Sequence, residues 1–301
     1  MGNRVDLHVA MCITFFYVNP APTVGSLRLL VAFNRDENLH RVTEPVKWKD
    51  GVLCGRDMTP GKEGGTWLGI SRSGRVGLLT NITTGKFAVK DAKGRGHLVI
   101  DYLHRDGLTA VEYLNMVAGS TQQYSPFNLC LFEPRRDGSR AYDANYYCRG
   151  VEGHPVQSEG PHPIPSGVTG LSNHPRSRPF QKTSFGEKMM KQVVSELAAS
   201  ASEKDLLVSR LRAVLTNGEK RYPDAQMTSQ CGGDEALVRD LSSIFVTAPE
   251  RNYGTRMQTI ILVDYDGNVT FEENSCTDRD ADSWVKRVEE FRLQDYSSKT
   301  Q

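Results

Sequence analysis

Cys12 is the residue of this chain best suited to nucleophilic chemistry, because it follows Met11 directly. A chain that began at Met11 would lose that methionine readily and expose the α-amine of Cys12. An α-amine titrates near pH ~8, so one residue would supply both a thiol nucleophile and its general base. Position alone instead favours a buried strand cysteine. The ten residues before Met11 also leave Cys12 with an amide nitrogen and no base.

A second group of chemical interest is the run Asn-Arg-Asp-Glu at residues 34–37, directly after the apolar segment 29–33. Four polar residues at the end of a buried strand are typical of a solvated turn. A guanidinium beside a cysteine, however, lowers the pKa of the thiol. The run therefore predicts either a turn or the charged part of a site built around Cys12.

The elements that must position these residues form blocks of strands and blocks of helices. Strands are predicted at 12–18, 27–33, 66–70, 75–80, 127–132, 141–148, 243–247, 259–264 and 269–272, with an edge strand at 284–293. Two helices are predicted between 96 and 117, and two more at 185–199 and 203–215, the last with Ser202 as N-cap. The Pro/Gly-rich segment 150–170 predicts a surface loop. Blocks without a repeating βαβ rhythm indicate layered α+β packing.

Composition excludes several classes of function. The chain has 301 residues, 38% of them hydrophobic, and a net charge of +1, which gives no long-range attraction for nucleic acid. Six separated cysteines without a CxxC pair indicate a reducing compartment. The apolar stretch 9–18 is shorter than the ~20 residues that a membrane helix needs. Residues 1–10 predict a plain extension and match a mitochondrial presequence poorly.

Several motifs together resemble one family. They are Met-Cys-Ile-Thr-Phe-Phe at 11–16, Asn-Arg-Asp-Glu at 34–37, Gly-Lys-Glu-Gly-Gly-Thr-Trp-Leu-Gly-Ile-Ser at 61–71, Leu-Thr-Asn at 79–81, Gly-Arg-Gly at 94–96, Gly-Leu-Ser-Asn at 170–173 and Tyr-Gly-Thr-Arg-Met-Gln-Thr-Ile-Ile-Leu-Val-Asp at 253–264. By these motifs the chain resembles the transport and Golgi organisation family. The resemblance implies a four-layer αββα sandwich related to the N-terminal-nucleophile hydrolases, which include penicillin and bile-acid amidases. It predicts an extension at 1–10, a single domain at 11–293 and a tail at 294–301.

The resemblance also implies the chemical roles around the thiol. Cys12 takes the nucleophile position, Arg35 holds the thiolate and Asp36 orients the α-amine. The amidases separate their arginine and aspartate by two residues, whereas Arg35 and Asp36 are adjacent here. Neighbouring residues of an extended strand point to opposite faces, so both cannot face Cys12. The role of the acid can pass to Glu37.

The remaining implied residues belong to the oxyanion side of the site. Asn81 and Asn173 take the oxyanion-stabilising positions, with Arg256 behind them, and side-chain amides can donate to a developing oxyanion. His174 follows Asn173 directly and is our candidate haem ligand. No haem motif is present, since none of the cysteines precedes a proline and no CxxCH occurs.

What the resemblance implies about biology is intracellular trafficking. We expect a haem chaperone that mobilises haem from storage or synthesis compartments, with links to lipid homeostasis and Golgi organisation. The alternatives are a cysteine hydrolase of a small acyl amide or thioester, and a protein that binds acyl-CoA or lipid. Haem is then a transported ligand, and no cofactor is required. The expected location is the cytoplasm, mitochondria, or the Golgi or another organelle membrane to which the protein attaches peripherally.

Overall fold

A computed structural model describes residues 11–84, 89, 92–150, 156–198, 203–276 and 283–294. The predicted extension at 1–10, the N-cap at Ser202 and residues 295–301 of the tail lie outside this part. The strands are β1 (Ile13–Val18), β2 (Leu27–Asn38), β3 (Thr43–Lys49), β4 (Val52–Asp57), β5 (Leu68–Ser71), β6 (Val76–Asn81), β7 (Phe127–Pro134), β8 (Tyr142–Arg149), β9 (Glu159–Pro163), β10 (Gly167–Leu171), β11 (Thr247–Ala248), β12 (Tyr253–Asp264), β13 (Asn268–Cys276) and β14 (Trp284–Arg292). The helices are α1 (Gly96–His104), α2 (Ala110–Ala118), α3 (Gln181–Leu197), α4 (Lys204–Leu215), α5 (Ala225–Gln230) and α6 (Glu235–Leu241).

The strands form two antiparallel sheets. Sheet A has the order β10-β1-β2-β12-β13-β14, with β11 paired to β12, and sheet B runs from β3 to β9 in chain order. One core lies between the sheets, where Val31 of sheet A and Ile70 of sheet B belong to the same cluster. A second core joins sheet A to α3 and α4, and a third joins sheet B to α1 and α2. The layers are therefore helix, sheet, sheet, helix, which confirms the predicted αββα fold class.

The strand β2 shows why the central strands are apolar on both faces. Leu29, Val31 and Phe33 face the core between the sheets, whereas Leu30 and Ala32 face the helices. A strand covered on both sides needs a continuous apolar run, in contrast to the alternation of a half-exposed strand. The same burial continues through the polar residues at 34–36, which places them in the interior.

A close backbone crossing supports the strand β5. A Cβ atom on Gly96 would lie 2.8 Å from the amide nitrogen of Thr66, and one on Gly65 would lie 3.1 Å from the Cα of Gly96. The Thr66 amide donates to the Gly96 carbonyl over 3.1 Å. Only residues without a side chain allow this approach. It fixes the start of α1 against the segment that leads to Trp67.

Several predicted elements are confirmed. Residues 66–70 and 75–80 correspond to the paired strands β5 and β6, the segment 96–117 holds α1 and α2, and β14 is the edge strand of sheet A. The helices predicted at 185–199 and 203–215 match α3 and α4, although α3 begins four residues earlier, at Gln181.

Other predictions are wrong. The turn alternative for residues 34–37 is wrong, because they continue β2: β12 pairs with all four of them and β1 pairs with Asn34. The predicted loop 150–170 contains β9 and most of β10 within its described part. The sequence of β9, Glu-Gly-Pro-His-Pro, is tolerated because β9 is an edge strand. Of the strand predicted at 243–247 only Thr247 is in β11, and β3, β4, α5 and α6 were not predicted.

Within the described residues, no helix combines the length and the apolar character needed to cross a membrane.

Candidate active site

The register of sheet A aligns three of the predicted site residues. Ile13 pairs with Asn34 of β2, and Thr14 pairs with Leu171 of β10. Continuing both registers to Cys12 places it between Arg35 on one side and Asn173 on the other. A hydrogen bond supports the second neighbour, because the Ser172 hydroxyl donates to the Cys12 carbonyl over 2.7 Å.

The Cys12 thiol is buried and protonated. Its side chain is 7% exposed, and Sγ contacts the Asp36 carbonyl oxygen at 3.8 Å. Burial raises the pKa of the Cys12 thiol to about 12, the Asp36 carboxylate raises it further, and the Arg35 guanidinium opposes both. An activated cysteine needs a pKa below its ordinary value. In this form of the chain the thiol is therefore not a nucleophile at neutral pH.

Met11 occupies the space beside the Cys12 nitrogen. Its side chain is fully buried and packs in a cluster with Phe180 and Leu241. Its amide donates to the Tyr253 hydroxyl over 2.7 Å, and the Thr83 hydroxyl contacts its sulfur at 3.3 Å. The nitrogen of Cys12 is accordingly a peptide nitrogen, which cannot accept the thiol proton.

Arg35 and Asp36 point to opposite faces of β2. The Arg35 guanidinium carbon lies 3.9 Å from the centre of the Trp67 ring, in the space between the sheets. Its Nη2 atom lies 3.7 Å from a Glu37 carboxylate oxygen. The Asp36 carboxylate instead accepts a hydrogen bond of 2.7 Å from the Thr255 hydroxyl. Among the described residues, Arg35 Nη1 and Asp36 Oδ2 are buried without a hydrogen-bond partner.

Lys182 is a buried charged residue near this site that the sequence did not indicate. Its Nζ atom donates to the carbonyls of Leu241 over 2.8 Å and Ser243 over 3.1 Å. Burial lowers the pKa of Lys182 to about 8, and Asp36 opposes this. Burial likewise raises the pKa of Asp36 to about 7, opposed by Lys182. A lysine near the start of a helix is ordinarily exposed, so no local signal marks it.

Asn34 has a structural role within the same motif. Its fully buried side-chain amide donates to the Leu215 carbonyl at the end of α4 over 2.8 Å, and to the Ile244 carbonyl over 3.0 Å. The last carbonyls of a helix need partners outside the helix. Asn34 therefore attaches α4 to sheet A, while its neighbours carry the charge.

Asn81, at the end of β6 in sheet B, lies beside Asn173, which follows β10 of sheet A by two residues. The Asn173 side-chain amide donates to the Asn81 carbonyl over 2.5 Å, and its Oδ1 atom accepts from the Ser172 hydroxyl over 3.3 Å. The Gln230 amide donates to the Asn173 carbonyl over 2.9 Å. The structure thus brings Asn173 next to Cys12, but the Asn173 side chain is engaged with the backbone.

Asn128 of β7 supports this arrangement and was not predicted. Its amide nitrogen donates to the Thr80 hydroxyl over 3.1 Å and to the carbonyls of Ser172 over 3.0 Å and His174 over 2.8 Å. Its oxygen accepts from the Tyr146 hydroxyl over 2.8 Å. Asn128 therefore attaches the segment that carries Asn173 to sheet B. The sequence shows one asparagine inside an apolar strand, which is a weak signal of a buried polar network.

Arg256 is located differently from the prediction. It lies at the bulge of β12 between Thr255 and Met257, on the side of β2 away from β1 and β10. Its Nη1 atom donates to the Asn38 carbonyl over 3.1 Å and to the Arg41 carbonyl over 2.5 Å. Arg256 therefore neighbours Arg35 and not the two asparagines.

His174 is a buried residue and not an exposed loop histidine. Its Nδ1 atom lies 2.9 Å from the Pro175 carbonyl oxygen and its Nε2 atom lies 2.9 Å from the Thr183 hydroxyl. Burial lowers the pKa of His174 to about 4, so the ring is neutral at physiological pH. Both ring nitrogens are occupied, and this geometry does not favour His174 as a ligand of haem iron.

Basic residues surround the mouth of the site. Arg41 lies 3.1 Å from Glu37 and 2.5 Å from Asp57. Lys62 has a lowered pKa, first because of partial burial and then because of Arg41 and Arg95. Burial and Arg41 lower the pKa of Arg95 to about 10. These shifts indicate that the cations repel one another and that the two carboxylates do not fully compensate them.

The layers, with Cys12 directly before the central strand β1, define an α+β protein of the αββα sandwich class. A family model described as "Transport and Golgi organisation 2" matches residues 11–278, and the chain belongs to this family. It is 36% identical over 291 residues to the transport and Golgi organization protein 2 homolog of Bos taurus, covering 94% of this chain and 100% of the relative. The Homo sapiens homolog is 37% identical over 290 residues, with the same coverage. Among solved structures, a Caenorhabditis elegans N-acylethanolamine-hydrolyzing acid amidase ortholog aligns with a TM-score of 0.46 and 12% identity, over 83% of this chain and 92% of that one.

Proposed function

We propose that this chain is a carrier that binds haem and does not hydrolyse it or any amide. The observation that supports this proposal is the state of Cys12. Its nitrogen is in a peptide bond to a buried Met11, and the pKa of its thiol is raised to about 12. A thiol without a base can line a binding site but cannot start acyl transfer.

The mouth of the site suits an anionic ligand with an apolar body. Arg41, Lys62 and Arg95 can form charge-assisted hydrogen bonds with haem propionates. The cavity beside Arg35 measures about 230 Å³ and is too small to enclose a porphyrin. Haem would therefore lie across the mouth. The family resemblance puts haem first, and acyl-CoA or another lipid second, since these ligands share an anionic group and an apolar part.

The proposed setting follows from the family, which is named for transport and Golgi organisation. We propose that the carrier works in the cytoplasm and attaches peripherally to Golgi, mitochondrial or other organelle membranes, with an effect on lipid homeostasis. Fractionation of cells that express the tagged chain tests this location. Recovery in one compartment that is remote from these membranes contradicts it.

A haem titration followed by absorbance tests the carrier. We expect saturable binding by the full chain and the same affinity for Cys12→Ser, because binding does not use the thiol. Lys62→Glu should weaken haem binding about 5–10-fold, because the charge of one partly buried lysine contributes ~1 kcal/mol to the binding free energy. Lys188→Glu, an exposed change on α3, is the matched control. Equal affinities for both charge reversals, or no saturable binding, contradict the proposal.

One observation favours the hydrolase as a second candidate. The Asp36 carboxylate has a buried oxygen without a partner in the described chain. Burial first, and then Asp36, raise the pKa of Tyr253, whose hydroxyl accepts a hydrogen bond from the Met11 amide. A chain that began at Cys12 would place its α-amine in this region. The amine would accept the thiol proton, the sulfur would attack the acyl carbon and expel the amine or thiol of the substrate with that proton, and water would release the acid.

The two candidates are separated by an acyl-amide hydrolysis assay on two forms of the chain. We expect no turnover by the full chain. Turnover by a form that begins at Cys12, abolished by Cys12→Ser, would establish the hydrolase for the processed form. Fast hydrolysis by the full chain together with absent haem binding would reverse our order.

A further inference from the structure

A small cavity lies on the side of Arg35 that faces away from Cys12. Its volume is about 230 Å³, and it is lined by the end of β2, the connection to β3 and the facing ends of β12 and β13. Three arginines line it, namely Arg35, Arg41 and Arg256. The family resemblance placed Arg256 behind Asn81 and Asn173. Its grouping with Arg35 and Arg41 appears only in the structure.

The lining is cationic. Of the described residues that line this cavity, none is an aspartate or glutamate. The acids nearest to its arginines lie outside the lining: Glu37 contacts both Arg35 and Arg41, and Asp57 contacts Arg41. Burial lowers the pKa of Arg256, and the neighbouring Arg35 lowers it further. Guanidiniums that repel one another in a concave site form a receptor for an anion.

A buried donor without a partner points to the same ligand. Arg35 is 4% exposed, and its Nη1 atom has no hydrogen-bond partner among the described residues. Arg35 is held in place by the Trp67 ring, which supplies no acceptor oxygen. Leaving a buried charged donor unpaired is costly, whereas an oxyanion in the cavity would satisfy it.

We propose that this cavity binds a phosphate group, in the form of a phosphate monoester. A cavity of about 230 Å³ is smaller than the ~300 Å³ at which pockets for drug-sized ligands begin, so it suits a compact group. A phosphate monoester carries nearly two negative charges at neutral pH, and arginine binds phosphate oxygens with paired N–H groups. The site does not use the Cys12 thiol, and it shares Arg41 with the proposed haem site.

Isothermal titration of the full chain with inorganic phosphate and with glycerol 3-phosphate tests the proposal. The experiments use pH 7.5 and an ionic strength held constant with chloride. We expect saturable binding of both probes and at least tenfold weaker binding of acetate. His40→Glu places a carboxylate at the exposed rim without removing a described side-chain contact, and it should weaken phosphate binding at least tenfold. Arg41→Gln should weaken it similarly.

The control is Arg251→Gln, which removes an exposed arginine that contacts Asp240 and lies outside the cavity. It should leave phosphate affinity unchanged. Acetate binding as tightly as phosphate, or a phosphate affinity unaffected by His40→Glu, would overturn the proposal. Because His40→Glu alters an exposed side chain, unfolding does not complicate the result.

Two further arms distinguish the source of the phosphate group. Vesicles of phosphatidylcholine with phosphatidic acid present the group at a membrane, and vesicles of phosphatidylcholine alone do not. Co-sedimentation with the first vesicles only, lost in His40→Glu, supports a lipid headgroup. Binding of glycerol 3-phosphate without co-sedimentation supports a soluble ligand. Phosphate titration of Lys62→Glu separates this site from the carrier function, because Lys62 belongs to the proposed haem site and does not line the cavity. We expect Lys62→Glu to keep the parent affinity for phosphate while it weakens haem binding.

Discussion

The two ends of sheet A differ in how they hold their charges. At the end near Leu27, α4 and the strands β12 to β14 surround a cavity of about 710 Å³. Its Lys204 and Glu290 form a contact of 2.5 Å and are 42% and 58% exposed. At the Cys12 end the cavity is about 230 Å³, but Arg35 and Asp36 are 4% and 1% exposed.

This difference shows that the larger of the two cavities is not the one beside the buried charges. Solvated charges such as Lys204 need no structural support and contribute little. Buried charges are costly and persist only when the surrounding structure holds them. At the Cys12 end, the buried hydrogen bonds of Asn128 provide this support, and the stability of the fold should depend on them.

The largest effect is expected from Asn128→Ala. The substitution removes four hydrogen bonds and leaves the Tyr146 hydroxyl and two buried carbonyls without this partner. We expect a loss of about 4 kcal/mol in the free energy of unfolding, since each buried unsatisfied group costs ~1–3 kcal/mol. Urea unfolding measures it. Asn115→Ala, at an exposed position of α2, is the control and should cost under ~1 kcal/mol. Equal losses would show that the network does not support the site.

The same contrast explains what the sequence allowed us to predict. Apolar periodicity located strands with long apolar runs, such as β1 and β7, and the helices α1 and α2. It failed at residues 34–37, because a run of four polar residues is normally a turn. Here β12 pairs with all four residues and β1 with the first of them, and this tertiary context overrides the local preference.

The candidate site was predictable to a similar degree. Motif resemblance selected Cys12, Arg35 and Asn173, which the register of sheet A places in a row. It gave no information on Asn128 or Lys182, because their importance depends on partners more than 40 residues away in the chain. The resemblance placed Arg256 behind the two asparagines, and in the structure it lies beside Arg35, at a bulge of β12. Bulges leave little trace in a single sequence.

A smaller and pH-dependent effect is expected from Asp36→Asn. Burial raises the pKa of Asp36 from 3.8 to about 7. Between these values the unfolded chain has the ionised carboxyl and the folded chain the protonated one, so this group makes the protein less stable as pH rises from about 4 to about 7. Asparagine is always neutral and removes this dependence. We expect Asp36→Asn to gain on the order of 2 kcal/mol relative to the parent over this interval.

Urea unfolding of both proteins at pH 5 and pH 8 measures the difference. The pKa of Glu273 is also raised to about 7 by burial, with the same sign, but Glu273 is present in both proteins and cancels. Asp143→Asn, an exposed carboxyl on β8, is the control and should show no such gain. A stability difference that does not change with pH would mean that Asp36 is ionised in the fold across this range.

The smallest effect is expected at the opposite end of sheet A, from Lys204→Ala. The contact between Lys204 and Glu290 is exposed on both sides, and water and salt screen such pairs, so the free energy of unfolding should change by under ~0.5 kcal/mol. Haem and phosphate titrations should give the parent affinities, because most charged residues that line the cavity of about 710 Å³ beside Lys204 are acids, including Glu203, Asp205 and Asp264, and these repel anionic ligands. Unfolding curves and both titrations, run beside Lys62→Glu, measure this. A Lys204→Ala variant that lost haem binding while Lys62→Glu retained it would place the ligand at the larger cavity, because only direct contact explains so large an effect of a solvated side chain.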